Sequence, residues 1–395
     1  TRNMDICDEE YEDKASDADA EKELECHARI VSFFAHKGGV SKTTNVHHLA
    51  YILAQKFNFK VLMIDADPQQ NLTQTCCRTA KNDASWRDSV ERGTIFTAVE
   101  RLHYGMKDGE YIDPANCVPL YKDRIVNGGK LYLLPGSLDL AKLEPQITFA
   151  HNVTNPSVFP LFDDIVGGFR HLFISTCAHY DIDFCFVDMG PSIGELNKSL
   201  FWSSDYFLIP CSPDSYCKTT IQTMQKTLPH WAAQQKQLNA ITADMTLPIN
   251  PDTPKFLGIL MSLFNVTGKN KVPVKDSQHW MDVIKRTVAD DLIPELSKVG
   301  MVHSYAPSDY TLAEIPHFLS LMPIAQRSHA TVYDIPDSGY TIETEDGEVK
   351  EMSRTEKERH QSRAEHFEQK YTDLAQSMLN MFNAEDSVEN SLDKN

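Results

Sequence analysis

The residues of this chain that could carry chemistry begin with the stretch AHKGGVSKTT at residues 35–44. Gly38 and Gly39 allow backbone N–H groups to approach a phosphate without hindrance from a Cβ atom. Lys42 is placed to reach β- and γ-phosphates, and Thr43 offers a hydroxyl oxygen of the kind that Mg²⁺ prefers. These residue types in this order predict a loop that binds the phosphates of a nucleotide together with Mg²⁺.

The loop departs from the strict Walker A pattern G-x-x-x-x-G-K-[ST], which requires glycine at positions 36 and 41. The chain has His36 and Ser41 there, and it carries an additional lysine, Lys37. If Ser41 needs a left-handed backbone, the strain is about 1–2 kcal/mol, which phosphate contacts could offset. Taken alone, the loop also fits a glycine-rich turn between a strand and a helix that binds nothing.

Three aspartates extend the predicted site, because they lie at the ends of apolar stretches. Asp188 ends the stretch FCFVD, as a Walker B acid does, and would hold a water bound to Mg²⁺. Asp65 and Asp67 end the stretch KVLMIDAD, where carboxylates can orient a second metal-bound water or the attacking water. We therefore expect the metal site to be formed by Thr43, Asp65 and Asp188.

The elements that position these side chains alternate between apolar strands and amphipathic helices. IVSFFA at 30–35 predicts a buried strand before the loop, and apolar residues at helical spacing predict a helix from about 42 to 57. Further parallel-type strands are predicted at 60–67, 184–190, 205–210 and 256–264. This alternation predicts an α/β fold with a doubly wound, mostly parallel sheet and helices on both faces, with ligands at the carboxyl ends of the strands.

Composition limits the class of protein. A chain of 395 residues with 41% hydrophobic residues can form one large α/β domain with insertions, or two smaller domains. No apolar run approaches the roughly 18 residues of a membrane helix, and the acidic N-terminus lacks a signal-peptide pattern. Nine cysteines without a CxxC pair favour reduced thiols in a cytosol over a disulfide framework or a zinc site.

Charge is distributed unevenly along the chain, whose net charge is −18. Residues 1–28 hold eleven acidic and three basic side chains, and residues 383–395 hold four acidic and one basic, so both are expected to be acidic disordered tails. The domain between them, 29–382, is mildly acidic and shows no obvious basic patch for tight DNA binding. Bases available for weaker binding in its C-terminal half are Lys269, Lys271, Lys275, Lys285, Arg286 and Arg327.

The domain is expected to contain three insertions or flexible links, near 231–255, 266–280 and 335–360. In the last of these, the Asp346-Gly347 pair between alternating residues predicts a hairpin. Beyond it, one helical face predicts a terminal helix docked on the domain: Phe367, Tyr371, Leu374, Met378 and Phe382. A helix lying on a membrane would need more Lys and Arg on its polar face.

Five motifs occur in the order found in the ParA/MinD superfamily of deviant Walker A ATPases: KGGVSKTT, VLMIDADPQQNLT, LYLLPGSLDLAKLE, YDIDFCFVDMGPS and LIPCSPD. The chain resembles ParA-type partition ATPases most, and TLAEIP at 311–316 and KYTDLAQSML at 370–379 resemble that family's C-terminal segments. The resemblance covers most of 29–382. It implies a P-loop NTPase fold, ATP and Mg²⁺ as cofactors, and slow, partner-stimulated hydrolysis of ATP to ADP and phosphate.

The resemblance also implies roles for single residues. Lys37 is similar to the signature lysine, which in the family reaches across a dimer to the phosphates held by the partner subunit. Thr44 would face the α-phosphate, Asp67 would be the catalytic switch residue, and Asn71 would lie on the same switch. The implied catalytic residues are Lys37, Lys42, Asp67 and Asp188. The implied nucleotide-binding residues are Lys37, Gly38, Gly39, Val40, Ser41, Lys42, Thr43 and Thr44, with Pro210, Pro213 and Asn265 around the adenine.

The function implied is partition of a plasmid, phage or chromosome by an ATP-dependent homodimer with a ParB-like adaptor protein. Non-specific DNA is a candidate matrix, no membrane is involved, and the location is the cytoplasm or the nucleoid. One alternative is a ParA-like ATPase that positions a protein cargo, and another is a MinD-like membrane switch, which needs a basic amphipathic C-terminus. An iron–sulfur carrier of the nitrogenase iron-protein type would need cluster cysteines just after the switch regions, and the DMGPS segment has none. A bacterial tyrosine kinase would need a tyrosine cluster at the C-terminus, where only Tyr371 lies.

Overall fold

A computed structural model describes residues 26–77, 93–104, 112–152, 163–243, 247–268, 271–343 and 349–392 of the chain. Its strands are, in chain order, β1 Arg29–Phe33, β2 Lys60–Ala66, β3 Val118–Leu120, β4 Lys130–Leu134, β5 Phe184–Met189, β6 Tyr206–Cys211, β7 Lys255–Phe264, β8 Val266–Thr267, β9 Val272–Pro273, β10 Thr311–Pro316, β11 Thr341–Glu343 and β12 Val349–Glu351.

The α-helices are α1 Lys42–Phe57, α2 Asn71–Cys76, α3 Ile95–Tyr104, α4 Glu144–Asn152, α5 Asp163–Tyr180, α6 Glu195–Trp202, α7 Ser215–Thr242, α8 Lys275–Thr287, α9 Ile293–Lys298, α10 Leu321–Arg327 and α11 Arg354–Leu392. A 3₁₀ turn, Leu138–Leu143, precedes α4, and a π turn, Val288–Leu292, joins α8 to α9.

Eight of the described strands form one sheet in the order β10-β7-β6-β1-β5-β2-β4-β3. Neighbouring strands are parallel except β3 and β4, which pair antiparallel. The predicted doubly wound α/β fold is therefore confirmed, and so are the predicted strands at 60–67, 184–190, 205–210 and 256–264, to within one residue at each end. The parallel register also places Asp65 directly opposite Asp188.

Helices cover both faces of the sheet, because alternate strand residues point to opposite sides. Ile30, Leu62 and Ile64 join one hydrophobic core, which packs against residues of α3 to α9. Their neighbours Val31 and Met63 join a second core, which packs against residues of α1, α2, α10 and α11. The helix after the loop thus lies on the same face as the terminal helix.

The terminal helix α11 buries the predicted apolar face, from Phe367 to Phe382. It also continues to Leu392, so the expectation of a disordered tail from 383 is wrong for the described residues 383–392. The reason is specific pairing, because Asp386 forms an ion pair with Arg29 and Glu385 accepts a hydrogen bond of 2.6 Å from the hydroxyl of Tyr206. Residues 1–25 and 393–395, also predicted to be disordered, lie outside the described residues.

The three segments predicted as insertions or links contain regular structure where they are described. Residues 231–255 include the last turns of α7, residues 266–280 include the β8–β9 hairpin, and residues 335–360 include the predicted β11–β12 hairpin. The turn of that last hairpin, 344–348, lies outside the described residues.

In the part of the chain that the structure describes, no helix combines the length and apolar character needed to cross a membrane. The eight cysteines of this part are free thiols.

Candidate functional site

The loop between β1 and α1 follows a path that favours glycine at two positions. Gly39 has φ 73° and Ser41 has φ 64° with ψ 27°, so both lie in the left-handed region. Ser41 is also the N-cap of α1, but its side chain makes no capping hydrogen bond. Ser41 therefore does adopt a left-handed backbone, and the strain of holding a serine in that conformation is about 1–2 kcal/mol.

Gly38 and Gly39 face open space. A Cβ atom added at either position would meet no other atom within 4 Å. The positive φ of Gly39 accounts for a glycine there, whereas neither packing nor backbone conformation requires one at position 38; a ligand that closely approaches the backbone would favour glycine at both positions.

Lys42 is buried at the start of α1, and its ammonium group binds two backbone carbonyl groups of the preceding loop. Its Nζ donates to the carbonyl oxygens of Ala35 at 3.2 Å and Lys37 at 3.1 Å. Burial lowers the pKa of Lys42 below its usual value, although the nearby carboxylates of Asp188 and Asp67 act in the opposite direction. An incoming phosphate would offer this ammonium group full negative charge in place of two carbonyl dipoles.

Asp188 lies beneath the loop at the end of β5, where it is 1% exposed. Its Oδ2 accepts a hydrogen bond of 2.7 Å from Thr43 Oγ1, whereas its Oδ1 has no hydrogen-bond partner among the described residues. Burial raises the pKa of this carboxyl group to about 8, and the neighbouring Asp65 acts in the same direction.

Asp65 lies beside Asp188 on the adjacent strand and holds the start of α2. Its Oδ2 accepts hydrogen bonds from the backbone N–H of Thr73 at 2.8 Å and from Thr73 Oγ1 at 2.6 Å. Its Oδ1 has no partner among the described residues. Burial raises the pKa of Asp65 to about 7.

The donor set fits a magnesium ion better than a softer metal. One buried carboxylate oxygen each of Asp188 and Asp65 has no hydrogen-bond partner in the part of the chain that the structure describes, and Thr43 supplies a hydroxyl oxygen. Hard oxygen ligands of this kind suit Mg²⁺, which usually keeps several waters and takes further ligands from phosphates. Within the described ranges, no group of three or more His, Cys, Asp or Glu side chains is arranged so that it could hold a metal ion.

Asp67 follows β2 and lies at the surface of the site. It is 6% exposed, and its Oδ1 accepts a hydrogen bond of 2.9 Å from the backbone N–H of Gln69. This contact turns the chain sharply toward α2, whose first residue is Asn71. Asp67 and Asn71 therefore lie on one short segment that borders the loop.

A cavity of about 520 Å³ opens above the loop. Its lining brings together many of the predicted residues: Gly38, Gly39, Val40, Ser41, Lys42, Thr43, Thr44, Asp67 and Asn71. Sequence reasoning missed further lining residues: Gln69, Gln74, Thr75, Pro191 and Gln326. Gln69 and Pro191 could have been found, because they directly follow the strand ends that carry the aspartates, whereas Gln326 on α10 has no local signal.

The described lining does not include the residues expected around the adenine. Pro210 lies in β6, Pro213 in the connection between β6 and α7, and Asn265 just beyond β7. The backbone carbonyl of Asn265 accepts a hydrogen bond of 2.9 Å from Val274. All three lie at the carboxyl edge of the sheet, so their assignment to the adenine stays a prediction.

Lys37 is also absent from the described lining, because its side chain points to the β6–α7 connection of its own chain. Its Nζ lies 2.5 Å from Asp214 Oδ2 and 2.8 Å from Ser212 Oγ. Asp214 is the N-cap of α7, where its other carboxylate oxygen accepts the backbone N–H of Cys217 at 3.0 Å. The cation is therefore neutralised within the chain.

Comparison with known proteins gives matches both in sequence and in fold. The sequence profile of the AAA_31 family, described as an AAA domain, matches residues 28–241. A virulence plasmid protein of the ParA family from Chlamydia psittaci is 24% identical over 201 residues, which cover 50% of this chain and 62% of the relative. A probable plasmid-partitioning protein ParA from Thermus thermophilus is 32% identical over 119 residues, which cover 30% of this chain and 29% of the relative. The matched region thus spans less than two thirds of the length of these curated relatives.

The fold has solved counterparts. The structure of a plasmid partition protein from Borrelia burgdorferi bound to AMPPNP superposes with a TM-score of 0.50 at 15% sequence identity, covering 89% of this chain and 99% of that chain. At this level of identity the likeness concerns the fold alone.

Proposed function

The chain belongs to the AAA_31 family and is a P-loop ATPase of the ParA/MinD type, and from this premise we propose that it is a Mg²⁺-dependent ATPase switch. In this proposal it forms a dimer that encloses ATP and acts in the partition of a plasmid, phage or chromosome. The observation that carries the proposal is the cavity lined by the open glycine loop, with Lys42 buried at its base and the Thr43–Asp188 contact below.

In the proposed transfer of a phosphoryl group to water, the residues around the cavity have separate roles. Backbone N–H groups from Gly38 to Ser41 and the ammonium group of Lys42 would hold the phosphates. Thr43 and Asp188 would hold Mg²⁺, which, when bound, neutralises charge that develops on the phosphate oxygens. Asp67 would orient the attacking water at the cavity surface. Positioning and charge neutralisation suffice for this reaction, without a covalent intermediate.

Dimerisation would be linked to ATP through Lys37. Its side chain starts at the edge of the cavity, but its cation is held by Asp214 outside the described lining. In a dimer, Lys37 would exchange this carboxylate for the phosphates bound by the other copy. Each nucleotide would then be stabilised by a cation from across the interface, and hydrolysis would weaken the contact.

The cellular role is proposed from the relatives, two of which carry plasmid or plasmid-partitioning names. A ParB-like adaptor would stimulate hydrolysis, and the protein would act in the cytoplasm. The terminal helix does not support a MinD-like membrane switch, because its apolar face is buried against the sheet.

Light scattering after size exclusion tests the switch directly. The protein is measured with Mg²⁺ and ADP, with Mg²⁺ and a non-hydrolysable ATP analogue, and without nucleotide. We expect a dimer with the analogue alone. A mass that does not depend on the nucleotide would contradict the proposed switch, even if slow ATP hydrolysis were observed.

A further inference from the structure

Cys217, near the start of α7, has a sulfur atom surrounded by hydrogen-bond donors. Its Sγ accepts the backbone N–H of Ser212 at 3.1 Å and lies 3.5 Å from Ser212 Oγ. The ammonium nitrogen of Lys37 lies 3.6 Å from the same sulfur. A thiolate at this position therefore receives a backbone donor and a full positive charge, and both stabilise the ionised form of a cysteine.

A second thiol lies beside this sulfur. Cys211 directly precedes Ser212, so the hydrogen bond from Ser212 N–H to Cys217 Sγ brings the end of β6 against the first turn of α7. Cys211 and Cys217 are each 1% exposed, belong to the same hydrophobic core and are free thiols. Two free thiols held side by side within one chain are the starting arrangement that a disulfide needs.

The two thiols differ in acidity. The hydrogen bond from Cys211, with smaller contributions from Ser212 and Lys37, lowers the pKa of Cys217 to about 6, although burial acts in the opposite direction. The same hydrogen bond, and then burial, raise the pKa of Cys211 well above its usual value. A thiolate thus lies beside a protonated thiol, so one sulfur can react with an oxidant first and the other can resolve the product.

One ion-paired side chain separates Cys217 from solvent. Lys37 contacts the sulfur and pairs with Asp214, and the side chains of this pair are 21% and 37% exposed. Because water screens such a pair, it is weak, and Lys37 can move aside to admit a molecule about the size of water. Hydrogen peroxide is a small uncharged oxidant of thiolates, so it suits this access better than a bulky reagent does.

We propose that Cys217 and Cys211 form an oxidation site at which hydrogen peroxide produces a disulfide, and that this disulfide releases Lys37 from one of its two anions. In the first step, the Cys217 thiolate attacks the peroxide. An S–O bond forms, the O–O bond breaks, and the hydroxide that leaves takes up a proton to become water. In the second step, the sulfur of Cys211, having lost its proton, attacks the sulfenic acid of Cys217. An S–S bond forms, the S–O bond breaks, and the leaving hydroxide becomes a second water. The dithiol thus loses two electrons, which reduce one peroxide to two waters.

The disulfide acts on the lysine that is proposed to join two copies of the chain. In the reduced protein, Lys37 lies between the Cys217 thiolate and the Asp214 carboxylate. After oxidation the carboxylate alone remains of these two anions, because a disulfide sulfur carries no charge. Lys37 then leaves its own chain more readily for the phosphates held by a second copy. This consequence rests on the proposed function, whereas the oxidation site itself does not.

Peptide mapping tests the oxidation site in the parent protein. The protein is treated with hydrogen peroxide, quenched with catalase, unfolded, alkylated and digested with trypsin. Cys211 and Cys217 share the tryptic peptide 199–218, so their disulfide makes this peptide resistant to alkylation and lighter by two hydrogen atoms. Cys117 is the internal control, because it is more exposed than Cys217 but burial raises its pKa to about 12.

We expect the disulfide in peptide 199–218 to form at least about tenfold faster than Cys117 is oxidised, because the thiolate is the reactive form. Oxidation of Cys117 at an equal rate, or a disulfide that forms first between other cysteines, would overturn the site.

Analytical ultracentrifugation with Mg²⁺ and a non-hydrolysable ATP analogue tests the release of Lys37. We expect the dimer dissociation constant of the parent protein to fall by up to about fivefold after oxidation, as for the loss of one weak ion pair. Cys217→Ser lacks the thiolate, so without treatment it should dimerise as the oxidised parent does, and peroxide should not change it. Cys117→Ser should behave as the parent does. An unchanged or larger dissociation constant after oxidation would overturn the release of Lys37.

The two measurements separate this inference from the proposed function. If the reduced parent does not dimerise with the analogue, the proposed function and the release of Lys37 both fail, and peptide mapping still decides the oxidation site. If the parent dimerises but peptide 199–218 stays reduced in peroxide, the oxidation site is wrong and the ATPase switch stands. Mapping needs no variant, so it gives a result even if Cys217→Ser does not fold.

Discussion

Lys37 and Asp214 form an ion pair within one chain, with Nζ 2.5 Å from Oδ2. The side chains are 21% and 37% exposed, so water screens the pair, and its contribution to stability is about 1 kcal/mol or less. A pair this weak can be broken by a competing phosphate. In the single chain, Lys37 is therefore bound by a weak ion pair, which leaves it able to exchange Asp214 for a phosphate held by a second copy.

Asp214→Asn should promote ATP-dependent dimerisation, because it removes the charge that competes for Lys37. The amide oxygen of asparagine can still accept the N–H of Cys217 and cap α7. We expect the dimer dissociation constant in the presence of a non-hydrolysable analogue to fall by up to about fivefold, corresponding to about 1 kcal/mol. Analytical ultracentrifugation measures it. Asp139→Asn, which breaks an exposed pair with Lys142, is the control and should change nothing. A weaker dimer in Asp214→Asn would indicate that this carboxylate acts in the interface.

The variants Lys42→Ala and Lys37→Ala should lose different functions, namely nucleotide binding in the first and ATP-dependent dimerisation in the second. Lys42→Ala loses the buried ammonium group beneath the cavity, so we expect no measurable ATP binding in calorimetry. Lys37→Ala should bind ATP with near-normal affinity and remain monomeric with the non-hydrolysable analogue, since its cation lies outside the described lining. Equal loss of nucleotide affinity in both variants would argue against a role of Lys37 across the dimer.

Asp67→Ala should bind ATP and form a dimer that does not turn over. The carboxylate lines the cavity and holds the turn toward Asn71, where it could orient the attacking water. Phosphate release under multiple-turnover conditions should fall at least a hundredfold, which is within the range attributed to a positioned acid or base. Turnover that survived within about twofold would remove Asp67 from the mechanism.

Stability should decrease as the pH falls below the ordinary pKa of His48. This buried side chain donates from Nδ1 to the carbonyl of Thr44 at 2.7 Å and accepts the N–H of Val332 at Nε2, 3.1 Å away. Burial lowers the pKa of His48 from 6.5 to about 4. Between these values the unfolded chain binds more protons than the folded one, so stability is present above pH 6.5 and is lost toward pH 4, by about 3 kcal/mol in total.

The measurement compares denaturant unfolding of the parent protein and His48→Gln at pH 7.5, 6.0 and 5.0. The pH-dependent loss should be smaller in His48→Gln, whose amide can form both hydrogen bonds without titrating. His279→Gln, at an exposed position on α8, is the control and should follow the parent protein. If parent and His48→Gln lost stability in parallel, other buried groups such as His47 would account for the acid sensitivity.

Local signals in the sequence predicted the elements that carry the site. The helix after the loop begins at Lys42 and ends at Phe57, as its apolar spacing indicated, and β2 and β5 each end one residue beyond a predicted aspartate, Asp65 or Asp188. These elements are determined by periodicity and by short-range steric limits, both of which can be read from single segments.

Features that depend on contacts distant in sequence could not be predicted. The register that sets Asp65 beside Asp188 results from strand pairing across more than a hundred residues. The acidic residues after 383 looked like a solvated tail because nothing local identifies Arg29 and Tyr206 as their partners. The position of Gln326 on the cavity likewise depends on how α10 packs beside the sheet.

The left-handed backbone of Ser41 bears on how relatives of this protein can be recognised in genomes. At this position the fold requires a positive φ, and glycine is the residue that adopts it with the least strain. Asparagine, aspartate and histidine also enter that region more readily than most residues. A search that describes the loop by its backbone angles, and accepts any residue tolerating them before Lys42, would therefore retrieve chains that a search for glycine at this position discards.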